Sequence, residues 1–535
     1  MAQVNNISVL AIAVDAAEPT FIRHLMDRGE LPKLKSLLDG GKWLRVKSPA
    51  HLGSGSVWPT FIAGQSPSVH GVYGEWLWDP TLMSVTRYDG KRVTPFWKNL
   101  VEHGVSVGVL DLPFMPLIGF SKGFEISEWG AHDIVDGATR FAPVSIANTV
   151  AQHSPHPLQT RLEISGPGDN RGLEQVGNIC LNGIATRGKL TRALLAETRP
   201  QLAIIGFPEL HHSAHYLWHQ VEVDAPAYRN AGAGRFMSTR PTMSDIYQAL
   251  DRQVGELVEM VGPETSIMVF SLHGMRPAFG IPSFLTAWLC EQGFCRLNDW
   301  RDQSWRGRAR SSFATLKRHA PVKLKKLYYS MLPRDITYRL ASTTIMPGYD
   351  WAHTRAFALP TDQHGWIRVN LIGREAGGTV LAVNYDDTCN ELERALSDLR
   401  SDRGELLVDK VIRTARSVDE AMEQLLPDLV VNWSDAVFTS PLRIAGSSVE
   451  GEAIGKKYVA QHSLEGFCIL RSDSIVADND SVRAEDLNLL IAQGVDSGRA
   501  SAATSSFAQK VVRNVEFGFA ARCEAVALPR RKGDS

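Results

Sequence analysis

The stretch Glu209-Leu-His211-His212-Ser-Ala-His215-Tyr-Leu-Trp218-His219 gathers imidazoles and a carboxylate within a few residues of one another. Imidazole is the commonest metal ligand in proteins, and imidazole beside carboxylate suits zinc, manganese or iron. The stretch follows the apolar run Leu202-Ala-Ile-Ile-Gly-Phe207, which reads as a buried strand, so the histidines are expected in a loop at its end. In α/β proteins that is where ligands collect. A polar loop that is rich in histidine by chance is the plainer reading, and other stretches decide between the two.

The second such stretch is Ser48-Pro-Ala-His-Leu-Gly-Ser54-Gly-Ser-Val-Trp58-Pro59, continuing to Gly64, Pro67, His70 and Gly71. A Gly-Ser-Gly loop runs into a short apolar helix, with Pro59 in its first turn and Gly64 at its end. Ser54 then lies near a helix N-terminus, where unpaired amides and the helix dipole stabilise an alkoxide or a phosphate. Taken alone, such a serine is far more often an N-cap than a nucleophile. Asp15 ends the apolar run Ile7–Val14, and His273 follows Ser266–Ser271 with Gly274 behind it to let the backbone turn sharply. His462 precedes the apolar Phe467–Leu470. Each of these has an ordinary reading as a cap or a loop residue.

The elements that must position these groups are short β-type runs: residues 7–14, 105–110, 202–207, 266–271, 366–370 and 428–433. Helix-type patterns such as 184–197 and 243–260 lie between several of them, the alternation expected of a parallel sheet covered on both faces. A doubly wound α/β core is the architecture this predicts. Asp15, Glu209, His211, His215 and His273 then fall at the carboxyl edge of the strands.

With 535 residues, of which 44% are hydrophobic, the chain can build a large core. Its formal net charge of -1 gives no overall electrostatic footprint for nucleic acid, so no stable nucleic-acid partner is expected. Six scattered cysteines without CxxC spacing suggest a reducing compartment. No apolar run approaches the length of a membrane helix, and the expectation is a soluble, cytoplasmic protein. Residues 301–340 depart from this neutral background, with eleven Lys and Arg against two acids. They are expected to form a basic helical insertion, or cap, between two parts of the core, 1–300 and 341–480. Residues 481–535 are expected to form a C-terminal helical segment and tail.

In this order, the quoted stretches resemble the type I phosphodiesterase/nucleotide pyrophosphatase branch of the alkaline phosphatase superfamily, over most of residues 7–475. The most specific element is Trp58…Gly64…Pro67…His70-Gly71, seconded by the strand-His273-Gly-Met275 element and by Asp350-Trp351-Ala-His-Thr354-Arg355 leading to Asn370 and Arg374. The resemblance implies an alkaline-phosphatase-like fold, a mainly parallel sheet with helices on both faces. It also implies one or two divalent metals, zinc first and manganese as the alternative. Ser54 stands where the family places its nucleophile, more often a threonine. Asp15 and His273 correspond to ligands of the metal on the nucleophile side, together with Ser54, and His215 and His462 to ligands of the other metal.

The chain departs from the family pattern at two positions. Leu272 stands where the family has an aspartate before His273, and His211 where it has an aspartate before His215, with Glu209 as an alternative carboxylate. The implied activity is metal-dependent hydrolysis of a small-molecule phosphate ester, a phosphodiester or a nucleotide pyrophosphate, through a phosphoserine on Ser54. A phosphomonoesterase, phosphonate hydrolase, sulfatase or mutase stays open within the superfamily. A non-catalytic metal- or ligand-binding protein stays open outside it, as does homo-oligomerisation.

Overall fold

Strands buried on both faces read as continuous apolar runs, and three of the runs form such strands: β1 (Val9–Val14), β6 (Leu202–Phe207) and β7 (Ser266–Ser271), in which every residue is buried. The computed structural model describes residues 6–131, 138–160, 164–231, 239–298, 345–360, 363–477 and 479–499. The basic segment 301–340 and the tail beyond residue 499 lie outside the described residues. The nine-stranded main sheet also contains β2 (Lys42–Lys47), β3 (Val107–Leu110), β4 (Gly123–Ser127), β5 (Arg140–Ala142), β14 (Glu465–Arg471) and β15 (Ser481–Arg483), in the order β15-β2-β14-β7-β1-β6-β3-β4-β5. Its five central strands, β7, β1, β6, β3 and β4, are parallel.

Alternation along β1 divides the core into two layers. Val9, Ala11 and Ala13 pack with Val57 and Phe61 of helix α1 (Val57–Ala63) on one face. Leu10, Ile12 and Val14 pack on the other with Leu173 and Val176 of α2 (Asn170–Thr198) and with Ile246 and Leu250 of α4 (Met243–Val261). α4 begins in a capping box, Thr242 and Asp245 each accepting from the other's backbone amide. Helix α3 (Glu209–Leu217) follows β6. Strand β8 (Met275–Pro277) pairs antiparallel with β13 (Ala460–His462) in a separate two-stranded sheet.

Two of the apolar runs, at 366–370 and 428–433, belong to a separate antiparallel sheet. It consists of β9 (Ala356–Leu359), β10 (Gly365–Val369), β11 (Val408–Arg413) and β12 (Leu429–Trp433), in the order β9-β10-β12-β11. The connection from β9 to β10 is only a few residues long, which permits an antiparallel hairpin and forbids a crossover helix. Buried polar groups tie this region together. Arg374 donates to both carboxylate oxygens of Asp428 at 2.8 and 2.7 Å, and the Asn370 amide donates to the carbonyls of Thr354 and Gly377. Among the described residues, no helix is long and apolar enough to cross a membrane.

Candidate metal centre

Neighbouring parallel strands that end at one edge of a sheet bring the residues that follow them together. β1 and β6 run in register to Val14 and Phe207, and the Asp15 amide donates to the Phe207 carbonyl at 3.0 Å. Ala16 then takes a left-handed φ of 59°, a conformation that costs a non-glycine residue about 1–3 kcal/mol and turns the chain away directly behind the carboxylate.

The histidine-rich stretch is helix α3 rather than a loop. It starts directly after Pro208, so His211 and His215, four residues apart, share one helix face. The residue two positions earlier is rotated by about 200°. Glu209 accordingly points away from the histidines, into a separate buried ion network. Its Oε1 accepts from Arg187 Nε at 2.7 Å and lies 3.0 Å from His156 Nε2, while Arg187 Nη1 reaches Asp111 Oδ2 at 3.0 Å. Asp111 also accepts the backbone amides of Trp129 and Gly130. Burial pushes the Glu209 carboxyl up, but Arg187 and His156 outweigh it and hold the group below the usual carboxylate value. The expected role of Glu209 as a metal ligand is corrected to that of a partner of Arg187.

Five of the other predicted ligands, Asp15, His211, His215, His273 and His462, come together. His211 Nε2 lies 2.8 Å from His215 Nε2 and 2.8 Å from His462 Nε2. His462 arrives on β13, where it stands opposite Met275 of β8, and its amide donates to Gln363 Oε1 at 3.0 Å. Asp15, His211 and His273 form a second group of potential ligands that shares His211 with the first. His273 Nε2 is 3.4 Å from Asp15 Oδ1, and the Trp58 indole donates to the same oxygen at 3.0 Å. Leu272 is fully buried in the apolar core.

Hydrogen-bond logic fixes two tautomers. His211 Nδ1 faces Asp15 Oδ2 at 2.7 Å and His215 Nδ1 faces the Ala460 carbonyl at 2.9 Å. Carboxylate and carbonyl only accept, so both Nδ1 atoms carry the proton, and each ring in its neutral form presents an Nε2 lone pair. Nε2 atoms held 2.8 Å apart are placed to share a cation. Burial and the neighbouring His273, His211 and His215 drive the His462 pKa well below its ordinary value, against the pull of Asp15, so this ring is neutral near pH 7. An all-imidazole cluster of this kind fits zinc, which takes three protein nitrogens in sites that keep a position for water or substrate.

Ser54 opens a 3-10 turn, Ser54–Ser56, that runs into α1. Ser56, not Ser54, holds the N-cap position of α1, and its hydroxyl donates to the Gly53 carbonyl at 2.7 Å. Ser54 instead lines a cavity of about 690 Å³ together with His211, His215 and His462. Trp76, Phe114 and Tyr458 contribute apolar wall, whereas Trp78 is buried with its indole nitrogen on Glu375. Asp15 and His273 lie off the wall, each only 1% exposed.

Two positioning residues escape a reading by type. The Trp366 indole, from β10, donates to the Leu52 carbonyl at 3.0 Å. A Cβ on Gly53 would come within 2.7 Å of that ring and one on Gly74 within 2.9 Å, so both glycines admit the tryptophan beside the Ser54 loop. Gln363 buttresses His462, and no local pattern marks it.

The chain matches the description "Type I phosphodiesterase / nucleotide pyrophosphatase" over residues 9–436. No curated protein sequence matches it. Among solved structures it is similar to the phosphonoacetate hydrolase from Sinorhizobium meliloti 1021 in complex with phosphonoformate, at 14% identity and a TM-score of 0.50, covering 92% of this chain and 96% of that one. It is also similar to the murine ectonucleotide pyrophosphatase / phosphodiesterase 5 in an inactive form in complex with AMP, at 12% identity and a TM-score of 0.44, covering 92% and 95%. On the family match, which spans most of its length, the chain belongs to the type I phosphodiesterase/nucleotide pyrophosphatase family of phosphoester hydrolases.

Proposed function

We propose that this chain is a metal-dependent phosphodiesterase or nucleotide pyrophosphatase, with zinc as the metal and a small-molecule phosphate ester as substrate, working in the cytoplasm. The observation that carries the reading is that Ser54 opens onto the same cavity as His211, His215 and His462. His211, His215 and His462 would hold one metal, and Asp15, His273 and Ser54 are the remaining candidates for a second. When bound, the metal supplies Lewis-acid charge that eases ionisation of a hydroxyl and offsets charge on the transferring phosphoryl group. Ser54 Oγ attacks phosphorus, the bond to the leaving oxygen breaks, and water cleaves the resulting phosphoserine. Trp366 holds the loop that aims the hydroxyl, and Asp15 holds the ring of His211.

The cavity wall favours a diester. Among its described residues there is no Lys or Arg, and the one carboxylate is Glu75. A diester brings one negative charge to the site and a monoester close to two, and the second charge would find no guanidinium or ammonium on this wall. The scattered cysteines support the cytoplasmic placement. A second reading, metal binding without turnover, is favoured by Leu272 in place of a carboxylate.

Hydrolysis of bis-p-nitrophenyl phosphate by the full chain, with zinc or manganese added after chelation, tests both. Turnover that is lost in Ser54→Ala supports the hydrolase and its nucleophile. Turnover that persists in Ser54→Ala rejects the phosphoserine route, and no turnover with either metal favours the binding protein.

A further inference from the structure

The two potential ligand groups cannot be filled independently, because both use His211. The ring of His211 has one proton and one free lone pair when neutral. Its Nδ1 proton goes to Asp15 Oδ2 at 2.7 Å, and its Nε2 lone pair faces His215 and His462 at 2.8 Å each. This is the arrangement in which a carboxylate orients a metal-ligating histidine from behind and raises its basicity. Asp15 is committed to that task at one oxygen, while its other oxygen accepts the Trp58 indole proton at 3.0 Å.

The second group is left poor by the same accounting. Without His211 it retains Asp15, His273 and the hydroxyl of Ser54, and the neighbouring position that could add a carboxylate is Leu272, fully buried against the apolar core. Only two of these, the carboxylate and the imidazole, are of the kinds zinc commonly takes from proteins, whereas the first group offers three imidazoles. Asp15 and His273 also lie off the cavity wall, whereas the three imidazoles of the first group line it.

We infer that this chain binds a single zinc ion tightly, through the Nε2 atoms of His211, His215 and His462, and that Asp15 acts as the outer carboxylate of that site rather than as the anchor of a second metal. The inference rests on the metal dependence in the proposed function but not on its substrate or nucleophile. It makes Asp15 a positioning residue, acting on the metal through His211.

The test counts zinc per full-length chain by mass spectrometry after chelation, reloading with zinc and gel filtration. The wild type is expected to retain one zinc. His215→Ala and His462→Ala are expected to retain none, and Leu272→Asp to retain two. Asp15→Asn keeps the count at one, with an affinity for zinc about 10–100-fold weaker in competition with a chromogenic chelator. Two zinc ions in the wild type, none at all, or one that survives loss of His215 and disappears in His273→Ala, would each overturn the inference. The wild-type count needs no variant to fold. Turnover in a chain carrying two zinc ions leaves the proposed function standing while this inference fails, and one zinc without turnover does the reverse.

Discussion

Two polar clusters lie close together in the chain, and they are built on opposite logic. In the Asp111–Arg187–Glu209–His156 network a guanidinium sits between two carboxylates, and the side chains are wholly buried. In the His211–His215–His462 cluster, imidazole Nε2 faces imidazole Nε2 and the wall of a cavity runs past the rings. The first cluster has its cation built in, and the second is organised to receive one. Glu209 and His211 stand two residues apart on one helix and belong to different clusters. What a residue type does is therefore set by which side of the helix it occupies.

The largest effect that would break this contrast is on catalysis. His215→Ala is expected to lower diester hydrolysis by several kcal/mol of barrier, on the order of a thousandfold, as measured by steady-state kinetics with zinc present. The metal-free variant should unfold at nearly the wild-type temperature. A variant that unfolds much earlier would move His215 into the structural class. Glu209→Gln should behave in the opposite way, because it leaves Arg187 facing a weaker partner in a site without solvent. Breaking a buried pair costs roughly 3–5 kcal/mol, to be read from urea denaturation of the metal-free chain. An unchanged midpoint, with zinc lost, would put Glu209 back among the ligands.

His70 sharpens the contrast as an imidazole that is buried but solitary. Its Nδ1 accepts the Val72 amide and its Nε2 donates to Thr60, and burial lowers its pKa to about 3. The folded value is depressed below the unfolded value of roughly 6.5, so above that pH both states are neutral and the residue costs nothing. As pH falls from there towards about 3, the unfolded chain takes up the proton and the folded one does not, so stability falls. The loss from this residue is about 2 kcal/mol at pH 5 relative to pH 7. His70→Gln should flatten the slope of stability against pH by that amount, and an identical slope would show that His70 protonates in the fold. The smallest effect is expected at His212, which lines the cavity from α3. His212→Ala should leave the zinc count unchanged and shift stability by no more than about 0.5 kcal/mol.

Much of this was legible in the sequence. Continuous apolar runs mark β1, β6 and β7, and the polar residue after each is where the ligands gather. The histidine spacing of four was itself a helical signal, with Pro208 and Glu209 as a plausible helix start. Expecting a loop there is what kept Glu209 beside His211. The partition of apolar runs between two sheets could not be read from periodicity, since a run buried on both faces looks the same in either. Contacts between distant segments were equally silent. Gln363 reaches His462 across nearly a hundred residues, and Trp366 reaches Leu52 across more than three hundred.

The Trp366 wedge also sets an order of events during synthesis. Asp15, Ser54, His211, His215 and His273 all leave the ribosome before residue 300, yet the ring that braces the Ser54 loop comes at 366 and the third imidazole at 462. A nascent chain therefore carries most of its reactive groups long before they can act together, and the antiparallel sheet that delivers Trp366 serves as the fastener that closes the site only after those later residues have emerged.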